Sequence, residues 1–308
     1  MRPNPLTPCV LLGYPIYTRK GKEDVNALKR LWLTGVAALA ITTAALADGD
    51  APTDIYIIGV DSLTTFTSGA YAGLSNPNYG RLTLLYAHYT PGTEHFHPIG
   101  AWSYSGSRDN PIVRNTNSNN RIPELAQRDR PNGQRYLNLR PGSGVFAGKW
   151  ISGQDGGEYS NLAMRPFDYL FGFQSDERVD RLINSSRGRW RMILPTNAIV
   201  GLQLMEISDG LNLAHSDGTP INLAPGQVLI LGTGADWVLN PVFWVADGAR
   251  EGVYSVGFRL LDLNTSQGYT PLRDSGVFYF DFYVVPEPAS LLALSAGLVG
   301  LARRRRRK

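Results

Sequence analysis

Residues 277–284 read VFYFDFYV, and this stretch decides the fold class. Side chains two residues apart on an extended strand point to the same face, so Phe278, Phe280 and Phe282 share one side. That side would carry only large apolar rings, which is typical of a strand that packs one face against a core. The stretch therefore predicts a strand in a packed sheet.

Similar segments recur along the rest of the chain. They are rich in β-branched and aromatic residues, and Gly, Asn, Asp and Pro separate them, as expected for short strands joined by turns. The strand candidates cover residues 55–60, 81–89, 227–231 and 253–261. The sequence thus predicts an all-β fold, a single β-sandwich or jelly-roll-like domain with long loops.

Helical signals are few. Residues 175–183 predict a two-turn helix with Ser175 as its N-cap. Two polar segments, residues 105–120 and 128–133, are predicted to be exposed loops.

The positive charge of the chain is concentrated at its two ends. The 308 residues include 30 Lys+Arg and 26 Asp+Glu, a net charge of +4, but residues 48–284 hold 18 bases and 23 acids. Because that central region is acidic, a nucleic-acid partner is not expected. The lone cysteine, Cys9, excludes a disulfide framework and a thiolate zinc site within the chain.

The N-terminal region has the pattern of a signal peptide. Residues 31–46 read LWLTGVAALAITTAAL, Lys29 and Arg30 precede them, and small residues occupy Ala45 and Ala47. A basic start, an apolar run and an A-x-A site are typical of a segment cleaved by signal peptidase. We predict a signal peptide over residues 25–47 and a mature domain over residues 48–284. Residues 1–24 are then an extra leader or precede the true translation start.

The C-terminal residues 285–308 combine three elements. The linker VPEPAS is followed by the apolar run LLALSAGLVGLA and by the basic residues Arg303 to Lys308. Together they resemble the PEP-CTERM sorting signal. The resemblance implies an exported bacterial protein, processed by an exosortase and anchored transiently or stably in the inner membrane by a sorting helix. Its destination would be the periplasm, the cell surface or the extracellular matrix.

Three of the four histidines lie within ten residues, and they suggest a metal site. His88 ends a predicted strand, a turn follows, and His95 and His97 are spaced to point to one side of the next segment. A hairpin would bring His88 beside that pair. Three imidazoles in such an arrangement suit Zn²⁺, and other divalent transition metals are possible.

Three further residues are candidates for completing this site. Glu94 is the nearest carboxylate, although an extended segment would turn it away together with Phe96. His215 and Asp217 have the same two-residue spacing as the histidine pair, and either could supply a ligand from a distant loop.

A second resemblance concerns the mature region. Residues 56–61 (YIIGVD), residues 86–104, and the ending from Val242-Phe243-Trp244 onward are similar to PEP-CTERM proteins repressed by the zinc uptake regulator. Expression under zinc shortage implies a role in zinc capture or handling outside the cytoplasm.

Three functions are therefore considered. The first is an exported metal-binding protein that scavenges, buffers or delivers zinc. The second is a structural or adhesive protein of the cell surface or matrix. The third is a zinc hydrolase with Glu94 as its general base. The sequence favours a binding protein over an enzyme.

Overall fold

A computed structural model describes residues 53–131, 133–154 and 156–284. The predicted signal peptide and sorting helix lie outside these residues, as does the leader segment. The deciding stretch forms strand β15, and the rings of Phe278, Phe280 and Phe282 are fully buried. The prediction of a core-facing strand is confirmed.

The described residues are organised mainly as strands. The strands are β1 (Ile55–Val60), β2 (Leu82–His88), β3 (His95–Ile99), β4 (Ser103–Ser107), β5 (Asn110–Arg114), β6 (Arg121–Ile122), β7 (Leu137–Pro141), β8 (Lys149–Ile151), β9 (Met164–Pro166), β10 (Ile199–Ile207), β11 (Asn212–His215), β12 (Val228–Thr233), β13 (Pro241–Ala246), β14 (Gly252–Asp262) and β15 (Phe278–Val284). The helices are α1 (Leu125–Arg128) and α2 (Glu177–Gly188), with 3-10 helices at Gly144–Phe146 and Phe167–Phe173.

Two sheets pack face to face. One has four strands in the order β3-β2-β1-β9. The other follows the order β11-β13-β8-β7-β15-β14-β10-β12, and β6 adds to β15. Aromatic rings of the two sheets meet in one core, where the ring centroids of Tyr56 and Phe280 are 5.5 Å apart. The all-β sandwich prediction is confirmed.

Helical segments pack on the outer face of the four-stranded sheet. A second apolar cluster joins Ile57, Leu85 and Phe96 of that sheet to the 3-10 helix Phe167–Phe173 and to helix α2. The centroids of Phe96 and Phe167 are 5.6 Å apart. Strands β2 and β3 therefore lie between two packed layers.

Two local predictions are wrong in detail. The helix begins at Glu177, and its N-cap is Asp176, whose carboxylate accepts a hydrogen bond from the Arg178 N–H. Residues 105–120 contain the end of strand β4 and all of its partner β5, as well as loop. Cross-strand pairing in this hairpin overrides its polar composition, because exposed strands do not need an apolar face.

Candidate metal centre

A tight hairpin between strands β2 and β3 builds the site. The turn is closed by a hydrogen bond from the Thr93 N–H to the Thr90 carbonyl, at 2.9 Å. Gly92 has a φ of +80° there, a conformation that glycine adopts at low cost. The resulting register pairs His88 directly with His95. The predicted hairpin is confirmed.

The hairpin brings the three histidines together on one face. One ring nitrogen from each of His88, His95 and His97 lies within 4.8 Å of the other two. The His88 Nδ1 and His97 Nε2 atoms are 3.3 Å apart. Two nitrogens bound to a tetrahedral zinc at ~2.0–2.1 Å would be separated by about 3.3 Å. The spacing of this pair therefore already suits a shared metal ion.

The other ring nitrogen of each histidine faces a hydrogen-bond acceptor. His97 Nδ1 pairs with a carboxylate oxygen of Glu124. His95 Nδ1 is 2.6 Å from the Thr93 carbonyl. A neutral imidazole that donates its N–H outward keeps its inner lone pair for a metal.

His88 follows the same arrangement with its nitrogens exchanged. Its Nε2 is 3.0 Å from the Thr90 hydroxyl and 3.4 Å from a carboxylate oxygen of Glu158. We therefore assign Nδ1 of His88 and Nε2 of His95 and His97 as the candidate ligand atoms. Such outer hydrogen bonds are the usual way in which proteins orient metal-binding histidines.

Glu124 is the most constrained of these partners. The residue is 5 % exposed and accepts hydrogen bonds from Asn119 and from the Tyr159 hydroxyl, the latter at 2.7 Å. Burial alone would raise the pKa of the Glu124 carboxyl. The hydrogen bonds from His97, Tyr159 and Asn119 outweigh burial and hold that pKa below its ordinary value. Glu124 is thus an ionised acceptor for His97.

Two stacked tyrosines, Tyr86 and Tyr159, pack next to the histidines. The rings of Tyr86 and Tyr159 are 4.3 Å apart, and Tyr86 also stacks on His88. The Tyr86 hydroxyl donates to Asp54 at 2.9 Å and accepts from the Tyr159 N–H at 3.1 Å. Burial raises the pKa of both tyrosines, so their hydroxyls remain protonated donors. Through these contacts Tyr159 orients the Glu124 carboxylate and Tyr86 orients the His88 ring.

Glu94 does not join the histidines. It lies on the opposite face of the hairpin, where both of its carboxylate oxygens bond to Arg181 of helix α2 at 2.7 and 2.9 Å. Arg181 lowers the pKa of Glu94 to about 2. The alternation of strand β3 turns Glu94 and Phe96 to the same covered side.

His215 and Asp217 also lie apart from the site. His215 ends strand β11 in the larger sheet and pairs with Pro241. Asp217 accepts a hydrogen bond from the Thr219 N–H at 2.8 Å within a tight turn, which lowers the pKa of its carboxyl. Among the described residues, the convergent group contains His88, His95 and His97 alone.

Sequence reasoning missed Glu124, Glu158 and Tyr159. The first precedes helix α1, and the other two lie in the loop between strands β8 and β9. They are 27 or more positions from His97, and no local motif marks them. Only the closure of the sandwich brings these loops to the histidine hairpin.

The arrangement has the chemistry of a borderline-metal site near the protein surface. The side chains of His88 and His97 are 16 % and 19 % exposed, which places the cluster at the edge of the solvent. Three imidazoles whose outer nitrogens have hydrogen-bonding partners are a suitable donor set for Zn²⁺.

Comparison with known proteins identifies a sorting motif at the C-terminus. No curated protein sequence and no solved structure matches the chain. In the part of the chain that the structure describes, no helix has both the length and the apolar character to cross a bilayer. Residues 284–307 match the PEP-CTERM protein-sorting motif, as the sequence predicted. The chain is therefore an exported protein that carries a PEP-CTERM signal and is sorted by an exosortase.

Proposed function

We propose that this exported protein binds a divalent transition metal, with zinc as the first candidate, through His88, His95 and His97. Its role would be to scavenge, buffer or deliver that metal outside the cytoplasm. The observation that carries the proposal is the convergence of one ring nitrogen from each of the three histidines. The second nitrogen of each ring lies next to a hydrogen-bonding group of the protein. An ordinary polar turn needs no such agreement between three side chains.

The donor set favours borderline transition metals, zinc among them, over hard cations. All three candidate ligands are imidazole nitrogens, which suit zinc, copper and nickel. Hard cations such as Ca²⁺ require several oxygen ligands, which this face does not provide. Copper binds nitrogen sites at least as tightly as zinc, so metal supply decides between these two ions.

The family resemblance noted from the sequence supports the same role. Proteins controlled by a zinc uptake regulator are made when zinc is scarce, and a high-affinity site outside the cytoplasm would serve that condition. The residues that carry the resemblance include the histidine hairpin itself, within residues 86–104.

Binding is favoured over hydrolysis by the position of Glu94. A zinc hydrolase needs a base within hydrogen-bond reach of the metal-bound water. Glu94 was the candidate base, but it faces helix α2 and is bonded to Arg181. The proposed function is therefore binding and transfer of the ion.

The test is metal content followed by a zinc titration. The protein is purified without a histidine tag, and we expect one zinc per chain. The double variant His95→Ala plus His97→Ala should lose this binding, because only one of three ligands remains. His215→Ala is the matched control and should bind zinc as the wild type does.

Unchanged zinc affinity in the double variant would overturn the proposed site. Absence of any metal binding by the wild type would leave the structural or adhesive role at the cell surface as the better hypothesis. Circular dichroism spectra of each variant and of the wild type would be compared to test whether the fold is intact.

A further inference from the structure

We infer that a metal ion bound by His88, His95 and His97 keeps one coordination position for a small exogenous ligand. Water would occupy it, and a monodentate anion such as a small carboxylate or an inorganic anion would replace that water. The inference rests on the proposed function and concerns how the site exchanges its metal.

The first argument is that the carboxylates around the hairpin are already engaged elsewhere. Glu94 is bonded to Arg181 on the opposite face. Asp54 accepts from the Tyr86 hydroxyl and from the Tyr89 N–H, at 2.9 and 3.0 Å. Neither is free to act as a fourth ligand.

The second argument is the direction from which Glu124 and Glu158 approach. Glu124 contacts Nδ1 of His97, and Glu158 contacts Nε2 of His88. Both nitrogens are on the side of the ring away from the candidate ligand atom. A carboxylate in that place orients its histidine and does not reach the metal bound on the inner side.

The third argument is solvent access. His88 and His97 retain 16 % and 19 % side-chain exposure, and Glu158 retains 44 %. A tetrahedral ion with three protein ligands in such a place completes its coordination from solvent. Structural zinc sites, by contrast, have four protein ligands and are closed.

An open position has a direct consequence for metal transfer. An acceptor or chelator can bind the ion before the histidines release it, so exchange can proceed through a mixed complex. A closed site must first lose one of its own ligands. The open position fits a protein that passes its metal on, and catalytic zinc sites have the same open position.

The experiment uses cobalt as a spectroscopic probe and azide as the exogenous ligand. The full protein is loaded with Co²⁺, and its visible absorption is followed as azide is added at constant neutral pH. We expect a saturable change in the d–d bands with one azide per cobalt. His215→Ala should give the same change.

Glu158→Gln tests the main competitor for the open position. If Glu158 swung inward to bind the metal, azide would have no effect on the wild type but would change the spectrum of Glu158→Gln. That result would overturn the inference and leave the metal site intact. An azide-insensitive spectrum in both proteins would also overturn it, because it would indicate a closed site.

Failure of the proposed function has a different signature. If the wild-type protein takes up no Co²⁺ or Zn²⁺, there is no site and both proposals fall. Cobalt uptake without an azide response overturns only the open position.

Discussion

The two faces of the β2–β3 hairpin differ in how their polar groups are used. On one face, Glu94 and Arg181 satisfy each other beneath helix α2, next to the buried ring of Phe96. On the other face, the outer nitrogens of His88, His95 and His97 contact neighbouring groups of the protein, and the inner nitrogens of His88 and His97 face each other at 3.3 Å. The two faces share the same ten residues of chain.

The difference shows what distinguishes a structural polar group from a candidate ligand. A buried carboxylate paired with a guanidinium has its charge compensated and offers little to an ion. On the histidine face, the 3.3 Å contact between His88 Nδ1 and His97 Nε2 allows the two rings to share a proton, and a bound metal ion would replace that proton. The first face stabilises the hairpin, and the second is the face that a cation would stabilise.

The largest expected effect is a loss of folding stability when the packed face of the hairpin, the face of Glu94 and Phe96, is disrupted. Phe96→Ala removes a ring that is 4 % exposed and packs on Phe167. Truncation of a buried Phe costs about 3–5 kcal/mol in the free energy of unfolding. Chemical denaturation would measure this loss.

The matched control for Phe96→Ala is its neighbour His95→Ala on the other face. We expect that substitution to change the metal-free protein's stability by less than about 1 kcal/mol, since the ring is only half-buried. Equal destabilisation by the two variants would show that the faces do not divide structural and binding roles.

The next effect concerns the orientation of His97. Glu124→Gln keeps the size of the side chain but removes the charge that faces His97 Nδ1. Loss of such an outer partner typically weakens metal affinity by about 10- to 100-fold. Competition with a chromophoric zinc chelator would measure the change. An affinity equal to that of the wild type would show that Glu124 does not support the ligand.

A smaller effect appears in the pH dependence of stability. Arg181 lowers the pKa of Glu94 from an ordinary 4.5 to about 2 in the folded protein. The stabilisation is therefore complete above pH 4.5 and is lost as the pH falls toward 2. In Glu94→Gln this part of the acid-induced loss should be absent.

Denaturation at a series of pH values between 2 and 6 would test the Glu94 prediction. Zinc affinity at neutral pH serves as the internal control and should not change, because Glu94 lies on the opposite face. Parallel acid curves for the wild type and the variant would contradict the assigned role of the pair.

The smallest effect is expected at Glu158. Its carboxylate is 44 % exposed and 3.4 Å from His88 Nε2, and the Thr90 hydroxyl is closer at 3.0 Å. Because solvent screens such an exposed pair, Glu158→Gln should lower zinc affinity by less than about tenfold. Isothermal titration would measure the affinity, and a loss as large as that of Glu124→Gln would reverse the ranking of the two carboxylates.

Much of the fold was predictable because strand periodicity is a local property. The alternation in residues 253–261 and 277–284 identified strands β14 and β15, and the buried rings are the predicted ones. The start of helix α2 was less predictable, since Ser175 and Asp176 are both suitable caps. The β4–β5 hairpin was missed because its exposed strands lack an apolar face.

The candidate site was predictable only in part, for a similar reason. The spacing of His95 and His97 placed both rings on one face, and the turn at Gly92 indicated that His88 would join them. Glu124 and Tyr159 carry no local signal, since their contacts depend on how distant loops meet. His215 and Asp217 shared a spacing with the histidine pair, but the topology put His215 at the end of a strand of the other sheet and Asp217 in the turn that follows it.

Local sequence is enough to predict the sorting signal, the all-β class and the grouping of three histidines, because each depends on residues that are neighbours along the chain. The tertiary structure alone decided that Glu94 faces Arg181 and that Glu124 faces His97. Those choices depend on long-range packing, in which a helix covers one side of the hairpin and two loops approach the other.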